Sequence, residues 1–289
     1  MENKINGLRF IVGSGCNYDC FYCHHEGFCD SKYIEIDDNK LEMLYQYAIQ
    51  KGINSISVTG GEPFLYWENT KKILSKFNDP KFKITLNSNL SLLDLYYDEV
   101  MKFNSIEFHI NLSSIYNKTH EQIIGGKYLD RVKANLNSLK NTHHIVCLNI
   151  LAVKSVNDKE LRDIFDYSIK NNFVPRILTL MPTDNSQKEL VMTIPEILDL
   201  FSNPVIGEKY AHGLYKVKCG EGNFEILKCL CDDLECNICA KNTFMHITPE
   251  LNIKYCLKSD DVVECNYENL ENLNDSFIES QKRLVRRIK

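Results

Sequence analysis

Six short apolar runs alternate with amphipathic stretches between residues 8 and 182, and that alternation restricts the fold more than any other feature. The runs at 8–13, 55–63, 81–89, 105–114, 144–153 and 174–182 read as strands. The stretches at 39–52, 91–103, 129–141 and 158–172 carry helical spacing, the first of them ending at Gly52. Strands that alternate with helices imply parallel βα units. Six units are fewer than the eight that close a barrel. The expected fold is therefore α/β, a partial (β/α)6 TIM-type barrel over residues 1–185. Beyond it, residues 186–289 are expected to form a small C-terminal cysteine-rich lobe. It would hold one helix (194–202), an irregular stretch (219–265) and a charged helical tail. In such barrels the chemistry collects at the carboxyl ends of the strands.

The 289 residues are 44% hydrophobic and 25% charged, which suits a soluble globule with an ordinary core. A net charge of −5 argues against a nucleic-acid partner held by bulk charge. No apolar run reaches the ~18 residues of a membrane helix, and "MENKINGLRF" lacks a hydrophobic signal core, so a cytoplasmic location is expected. In that reducing compartment, twelve cysteines are better explained as metal ligands than as disulfides. Four lie within 16–29 and seven within 219–265, with Cys147 alone between them, a layout that suggests two metal centres.

The first centre would be built on Cys16, Cys20 and Cys23, spaced C-x3-C-x2-C in "GSGCNYDCFYCHHEGF". A structural zinc site closes with four protein ligands, so a zinc knuckle here would add His24 or His25. A cubane iron–sulfur cluster held by three cysteines instead leaves one iron open to another ligand. Both readings stand on spacing alone. The loop follows the first strand, and a second turn, "TGGEP" (59–63), follows the second strand, so the two should share one mouth.

The cysteine loop paired with the G-G-E-P turn resembles the radical S-adenosylmethionine superfamily. That resemblance implies a [4Fe-4S] cluster on Cys16, Cys20 and Cys23, whose open iron binds S-adenosylmethionine through its amino and carboxylate groups. It implies cleavage to a 5′-deoxyadenosyl radical that takes hydrogen from a substrate, with a flavodoxin- or ferredoxin-type electron donor. Gly60 and Gly61 would let the backbone approach the ligand, Glu62 would neutralise its ammonium, Pro63 would fix the turn, and Tyr22 would meet the adenine.

The segments "LRFIVGSGCNYDCFYCHHEG", "INLSSIYNKTHEQIIGGK", "CLNILAVKSVNDKELRDIFDYSIKNNFVPRILTLMPT" and "CNICAKNTFMHITPELNIKYCL" further resemble the molybdenum-cofactor GTP 3′,8-cyclase family. By that likeness the S-adenosylmethionine contacts fall on Tyr22, Gly61, Asn111 and Met181, with Asn149 and Arg176 also near the mouth. A second, auxiliary [4Fe-4S] cluster of the SPASM or Twitch type would be held by Cys236, Cys239 and Cys256, with Cys219, Cys229 and Cys231 as further candidates. A zinc site remains the alternative for this cysteine set.

The phosphate-binding cations of that family are thinned here. Arg9 is retained, but Ser57, Leu86 and Cys147 stand where the family has an arginine, a threonine and a lysine. After the second C-x2-C the family has two arginines. This chain has Lys241, with Thr243 or His246 nearby, and it ends "LVRRIK" in place of a Gly-Gly tail. A buried triphosphate would be under-neutralised. Three functions follow as expectations: a radical enzyme acting on a small molecule or peptide other than GTP, a diverged GTP 3′,8-cyclase, and a non-enzymatic zinc or iron–sulfur module. His143 and His144 read as an exposed strand start, and Trp67 as packing.

Overall fold

Strands form where the apolar runs predict them: β1 (Ile5–Ile11), β2 (Ser55–Thr59), β3 (Lys83–Ser88), β4 (Ile106–Asn111), β5 (Ile145–Ala152) and β6 (Val174–Thr179). These six lie side by side in chain order and pair in parallel. The computed structural model describes residues 5–25, 33–211, 213–228, 243–256, 259 and 261–288. The crossovers carry α1 (Asp38–Lys51), α2 (Trp67–Lys76), the short α3 (Tyr97–Val100), α4 (Asn117–Ile124), α5 (Leu129–Leu139) and α6 (Leu161–Lys170). Asp37 caps α1 by accepting from the backbone N–H groups of Asn39 and Lys40, both at 2.9 Å. Gly52 stops the helix in the left-handed conformation, at φ 66°. The helix expected over 91–103 is broken into a 3₁₀ turn (Leu93–Leu95) and α3, and α4 was not anticipated.

The largest departure lies beyond residue 185. After α7 (Ile194–Leu198) the chain adds five strands: β7 (Val205–Ala211), β8 (Leu214–Cys219), β9 (Gly222–Leu227), β10 (Thr243–Ile247) and β11 (Ile253–Lys254). They continue the sheet at both edges, giving the order β11-β10-β1-β2-β3-β4-β5-β6-β9-β8-β7. Strand β10 runs parallel to β1, and β9 parallel to β6. The result is a mixed α/β protein with a mostly parallel open sheet, whose two edge strands β11 and β7 pair with different neighbours. The C-terminal helix α8 (Leu270–Ile288) is packed down: Phe277 stacks on Tyr47 of α1 at 4.4 Å, and Ser280 Oγ meets Met245 Sδ of β10 at 3.7 Å.

Each central strand separates an apolar face from a polar one. Leu8, Phe10, Ile56, Val58, Ile84, Leu86, Phe108, Ile110, Leu148 and Ile150 are buried in one core with the helices. The opposite face carries Arg9, Ser57, Thr59, Thr85, Asn87, Glu107, His109, Asn111, Cys147, Asn149 and Arg176, which the parallel registers bring together on one side of the sheet. Leu86 thus faces the helices, so the absence of a threonine there leaves the polar wall unchanged.

Two histidines are buried neutral. His144, expected at the surface, is 7% exposed, and its Nδ1 accepts from Ile106 N at 3.1 Å. Its neighbour His143, in the bend before β5, stays exposed. His120 on α4 packs edge-on against Tyr18, and neither ring nitrogen has a hydrogen-bond partner among the described residues. Burial pushes His120 down to about 4. A histidine depressed in the folded state adds stability above its unfolded pKa of about 6.5, and that stability is lost as pH falls toward the folded value. His120→Leu should therefore gain about 1 kcal/mol on the wild type when the pH is lowered from 7.5 to 5.5. Equal acid sensitivity of the two proteins in unfolding curves at both pH values would refute the assignment.

Candidate active site

Two loops leave the carboxyl ends of β1 and β2 and pack back to back. Gly61 N donates to Gly13 O at 2.8 Å, and Glu62 N to Gly15 O at 2.9 Å. A Cβ on Gly61 would stand 2.0 Å from Gly15 O, so only glycine permits this crossing. Gly13 faces the Tyr66 ring, where a Cβ would lie 2.3 Å from its carbons, and Tyr66 OH accepts from Gly15 N at 2.8 Å. Gly60 and Gly61 thus serve first to let the backbones touch. Pro63 opens the 3₁₀ turn Pro63–Tyr66, and its carbonyl accepts from Thr70 Oγ1 at 2.9 Å. Trp67 is packed against Tyr96 and Phe64.

Glu62 differs from the expectation of a direct ammonium contact. Its side chain is 0% exposed. Oε1 accepts from Ser88 Oγ at 2.7 Å and Phe64 N at 3.1 Å, and Oε2 from Asn89 N at 2.7 Å. Burial pushes the carboxyl up to about 7 against these three donors. The side chain faces inward and ties the G-G-E-P turn to the end of β3.

The cysteine loop rides on this junction. Its backbone is pinned to the end of α4 by Asp19 N to Ile124 O at 2.9 Å, and Cys23 N closes a turn on Cys20 O at 3.0 Å. Tyr18 N donates to Cys16 Sγ at 3.3 Å, and His25 N to Cys23 Sγ at 3.4 Å. Gln187 donates to Phe21 O at 2.9 Å and holds the far side. Burial pushes the Cys16 thiol up to about 11 and the Cys20 thiol to about 12, and the three sulfurs add to the rise through mutual repulsion. Among the described residues no three His, Cys, Asp or Glu side chains form a ready-made site for a single metal ion. The donor set fits a larger group: three thiols in one loop, those of Cys16 and Cys20 pushed up by burial, with N–H groups already aimed at the sulfurs of Cys16 and Cys23.

Beside the loop, Asn111 at the end of β4 donates to Tyr22 OH. Asn149 on β5 lies in register with Asn111 and with Arg176, and its Oδ1 is buried without a hydrogen-bond partner among the described residues. An unpaired buried acceptor at this mouth suits a polar ligand. Met181 is half-buried in the loop after β6.

Below the mouth, the polar wall is internally matched. Arg176 Nε and Nη2 each lie 2.7 Å from Glu225 Oε2 of β9, and Nη2 lies 3.9 Å from Glu107 Oε1. His109 Nε2 meets Glu107 Oε1 at 2.6 Å, and both His109 ring nitrogens lie 3.2 Å from Arg176 Nη1. The bond to His109 holds the Glu107 carboxyl below its usual range, so it is ionised. Burial, reinforced by Arg176, keeps His109 neutral at pH 7. Arg9 donates to Ser57 Oγ at 3.4 Å and to Thr59 Oγ1 at 3.2 Å, and Asn87 donates to Ser57 Oγ at 2.9 Å. Cys147, in place of a lysine, is buried in this wall with its thiol pushed up to about 12 by burial. Glu107, His109 and Glu225 had escaped notice in the sequence, although E-x-H-x-N along β4 puts polar residues where a doubly covered parallel strand should be apolar.

The second cysteine set is only partly in view. Cys229, Cys231, Cys236 and Cys239, with Lys241, lie outside the described residues. Cys256 follows β11, which runs antiparallel to β10 with Lys254 opposite His246. It therefore lies toward the amino end of β10, opposite to the Cys16 loop. Cys219 ends β8, with its Sγ 3.2 Å from Gly222 O.

The Radical SAM superfamily profile matches residues 10–168. A probable GTP 3′,8-cyclase of Methanothermobacter marburgensis is 25% identical over 96% of this chain and 93% of its own length. A GTP 3′,8-cyclase of Clostridium botulinum (strain Hall) is 28% identical over 95% and 88%. Among solved structures, Streptococcus suis SuiB bound to precursor peptide SuiA aligns with TM-score 0.68 at 16% identity, covering 93% of this chain; the chain spans 64% of that longer protein. Native anSMEcpe with bound AdoMet aligns with TM-score 0.67 at 14% identity, over 96% and 82%. These two likenesses concern the fold. With the profile covering more than half of the chain, and the cysteine loop and G-G-E turn packed together at one mouth, this chain belongs to the Radical SAM superfamily.

Proposed function

We propose that this radical S-adenosylmethionine enzyme acts on a substrate without a triphosphate, a small molecule or a peptide, held between two iron–sulfur clusters. The observation that carries the reading is the pairing of Arg176 with Glu225 and Glu107 inside the polar wall. Arg176 faces two carboxylates, so this cation is already engaged by the protein. Polyphosphate needs cations in excess of its surroundings, and Glu107 and Glu225 would face it with like charge.

The superfamily's [4Fe-4S] cluster, when bound, supplies the electron that cleaves S-adenosylmethionine and releases the hydrogen-abstracting 5′-deoxyadenosyl radical. Cys16, Cys20 and Cys23 would hold it. Tyr22 and Asn111, already bonded to each other, would line the S-adenosylmethionine site with Gly61, Asn149 and Met181. Glu62 acts at one remove by fixing the turn. Arg176, Glu107, His109 and Glu225 would orient the substrate below, with reductant reaching the loop from a flavodoxin- or ferredoxin-type donor.

The strand directions support a second cluster at the other end. Cys239 precedes β10 by four residues, and Cys256 lies toward the amino end of the same strand. Cys236, Cys239 and Cys256 are thus candidates to share one centre, about 20 Å from the Cys16 loop by the rise of a seven-residue strand. A second reading, GTP 3′,8-cyclase, is favoured by the similarity over nearly the whole chain to relatives with that name.

Binding separates the two readings. Calorimetry with the reconstituted protein should give a GTP Kd no tighter than about 1 mM, and Glu107→Gln with Glu225→Gln should tighten triphosphate binding about tenfold by releasing Arg176. Micromolar GTP binding by the wild type, with a cyclised nucleotide formed from GTP and S-adenosylmethionine under reduction, would establish the cyclase instead.

The second centre has its own measurement. Cys256→Ala should remove about half of the iron and sulfide, from about eight to about four of each per chain, and leave the S-adenosylmethionine-dependent spectral change intact. An unaltered iron content would rule out Cys256 as a ligand.

A further inference from the structure

Cys16 receives a side-chain contact from across the mouth. Asn89, the first residue beyond β3, is 6% exposed and reaches it from across the mouth. Its Nδ2 donates to Asn17 Oδ1 at 2.9 Å and approaches Cys16 Sγ at 3.8 Å, within reach of an N–H···S bond. The orientation of this amide is not arbitrary. Its Oδ1 accepts from Ser91 N at 2.9 Å and from Ser91 Oγ at 2.7 Å. A backbone N–H can only donate, so the oxygen must face Ser91 and the nitrogen must face the sulfur. Asn17 Nδ2 closes the ring on Ser91 Oγ at 2.8 Å. The backbone of Asn89 is held in turn by the buried Glu62, through Asn89 N to Oε2 at 2.7 Å.

We infer that Asn89 is a positioning residue for the iron–sulfur cluster: it fixes Cys16 and donates a hydrogen bond to its sulfur, raising the reduction potential of the S-adenosylmethionine-binding cluster. A donor aimed at a ligand sulfur stabilises the more electron-rich state, in which that sulfur carries more negative charge. The donor adds to the one that Tyr18 N already supplies, and Glu62 enforces it. The G-G-E-P turn thereby acts on the cluster through Asn89 as well as on the shape of the mouth. The inference rests on the superfamily assignment and is independent of the substrate.

The test is a potentiometric titration of the intact, anaerobically reconstituted chain, followed by the paramagnetic signal that changes on adding S-adenosylmethionine. That criterion selects the open-iron cluster from any other. Asn89→Ala removes the donor. Asn89→Asp keeps the size and the acceptors for Ser91 but turns an oxygen toward the sulfur. At a fixed potential near the wild-type midpoint, the ratio of reduced to oxidised cluster should fall about tenfold in Asn89→Ala, equivalent to about 59 mV for one electron. It should fall further in Asn89→Asp. A merely structural role would lower cluster occupancy without moving the midpoint of the clusters that do assemble. A midpoint within twofold of the wild-type ratio in either variant overturns the inference.

Discussion

The mouth of this protein depends on a carboxylate with no access to water. Glu62 gathers the N–H of Phe64, the hydroxyl of Ser88 and the N–H of Asn89, and so locks the end of β3 onto the turn that follows β2. That turn in turn lies flat on the loop that follows β1, through glycines whose Cβ positions are occupied by neighbouring backbone. Three consecutive strand ends are therefore fixed relative to one another before any side chain meets a ligand. A buried carboxylate is costly unless it is fully hydrogen-bonded. Its presence here is intelligible as the tie that joins the turn after β2 to the end of β3 beneath the cysteine loop.

The same logic explains why a parallel sheet, normally apolar on both faces, is polar on its inner one. Arg176 and Glu225 are 12% and 18% exposed, and each would be expensive to bury alone. Together with Glu107 and His109 they form a closed set in which donors find acceptors. Such a set adds little to stability compared with an apolar packing. What it provides is a pre-oriented polar lining, fixed by strand register from three different strands.

Much of this was legible in the sequence. The six apolar runs located the parallel strands, and the cysteine loop and the G-G-E-P turn follow β1 and β2 and pack together there. What escaped notice were effects of distance along the chain. Glu225 meets Arg176 across 49 residues, and Asn89 meets Cys16 across 73. Neither pairing leaves a local pattern. The sequence marks Glu62 but not the direction of its side chain, because a turn motif does not state which way its side chain points; it turns inward to Ser88 and the N–H groups of Phe64 and Asn89. The five late strands were overlooked because short edge strands such as β7, with Glu208 and Lys209 among its residues, resemble loop. Parallel β9 and β10 depend on pairing with β6 and β1, laid down far earlier in the chain.

The late strands bear on what fills the polar face. A closed eight-unit barrel fills its interior with side chains. Here β9 and β10 lengthen the parallel run to eight strands, yet β8 with β7 and β11 turn antiparallel at the two edges. Among the described residues the sheet is not closed between β11 and β7. An unclosed run leaves this face lined by register-matched polar side chains, Arg176 against Glu225 and Glu107 among them, rather than filled with apolar ones as the interior of a closed barrel is.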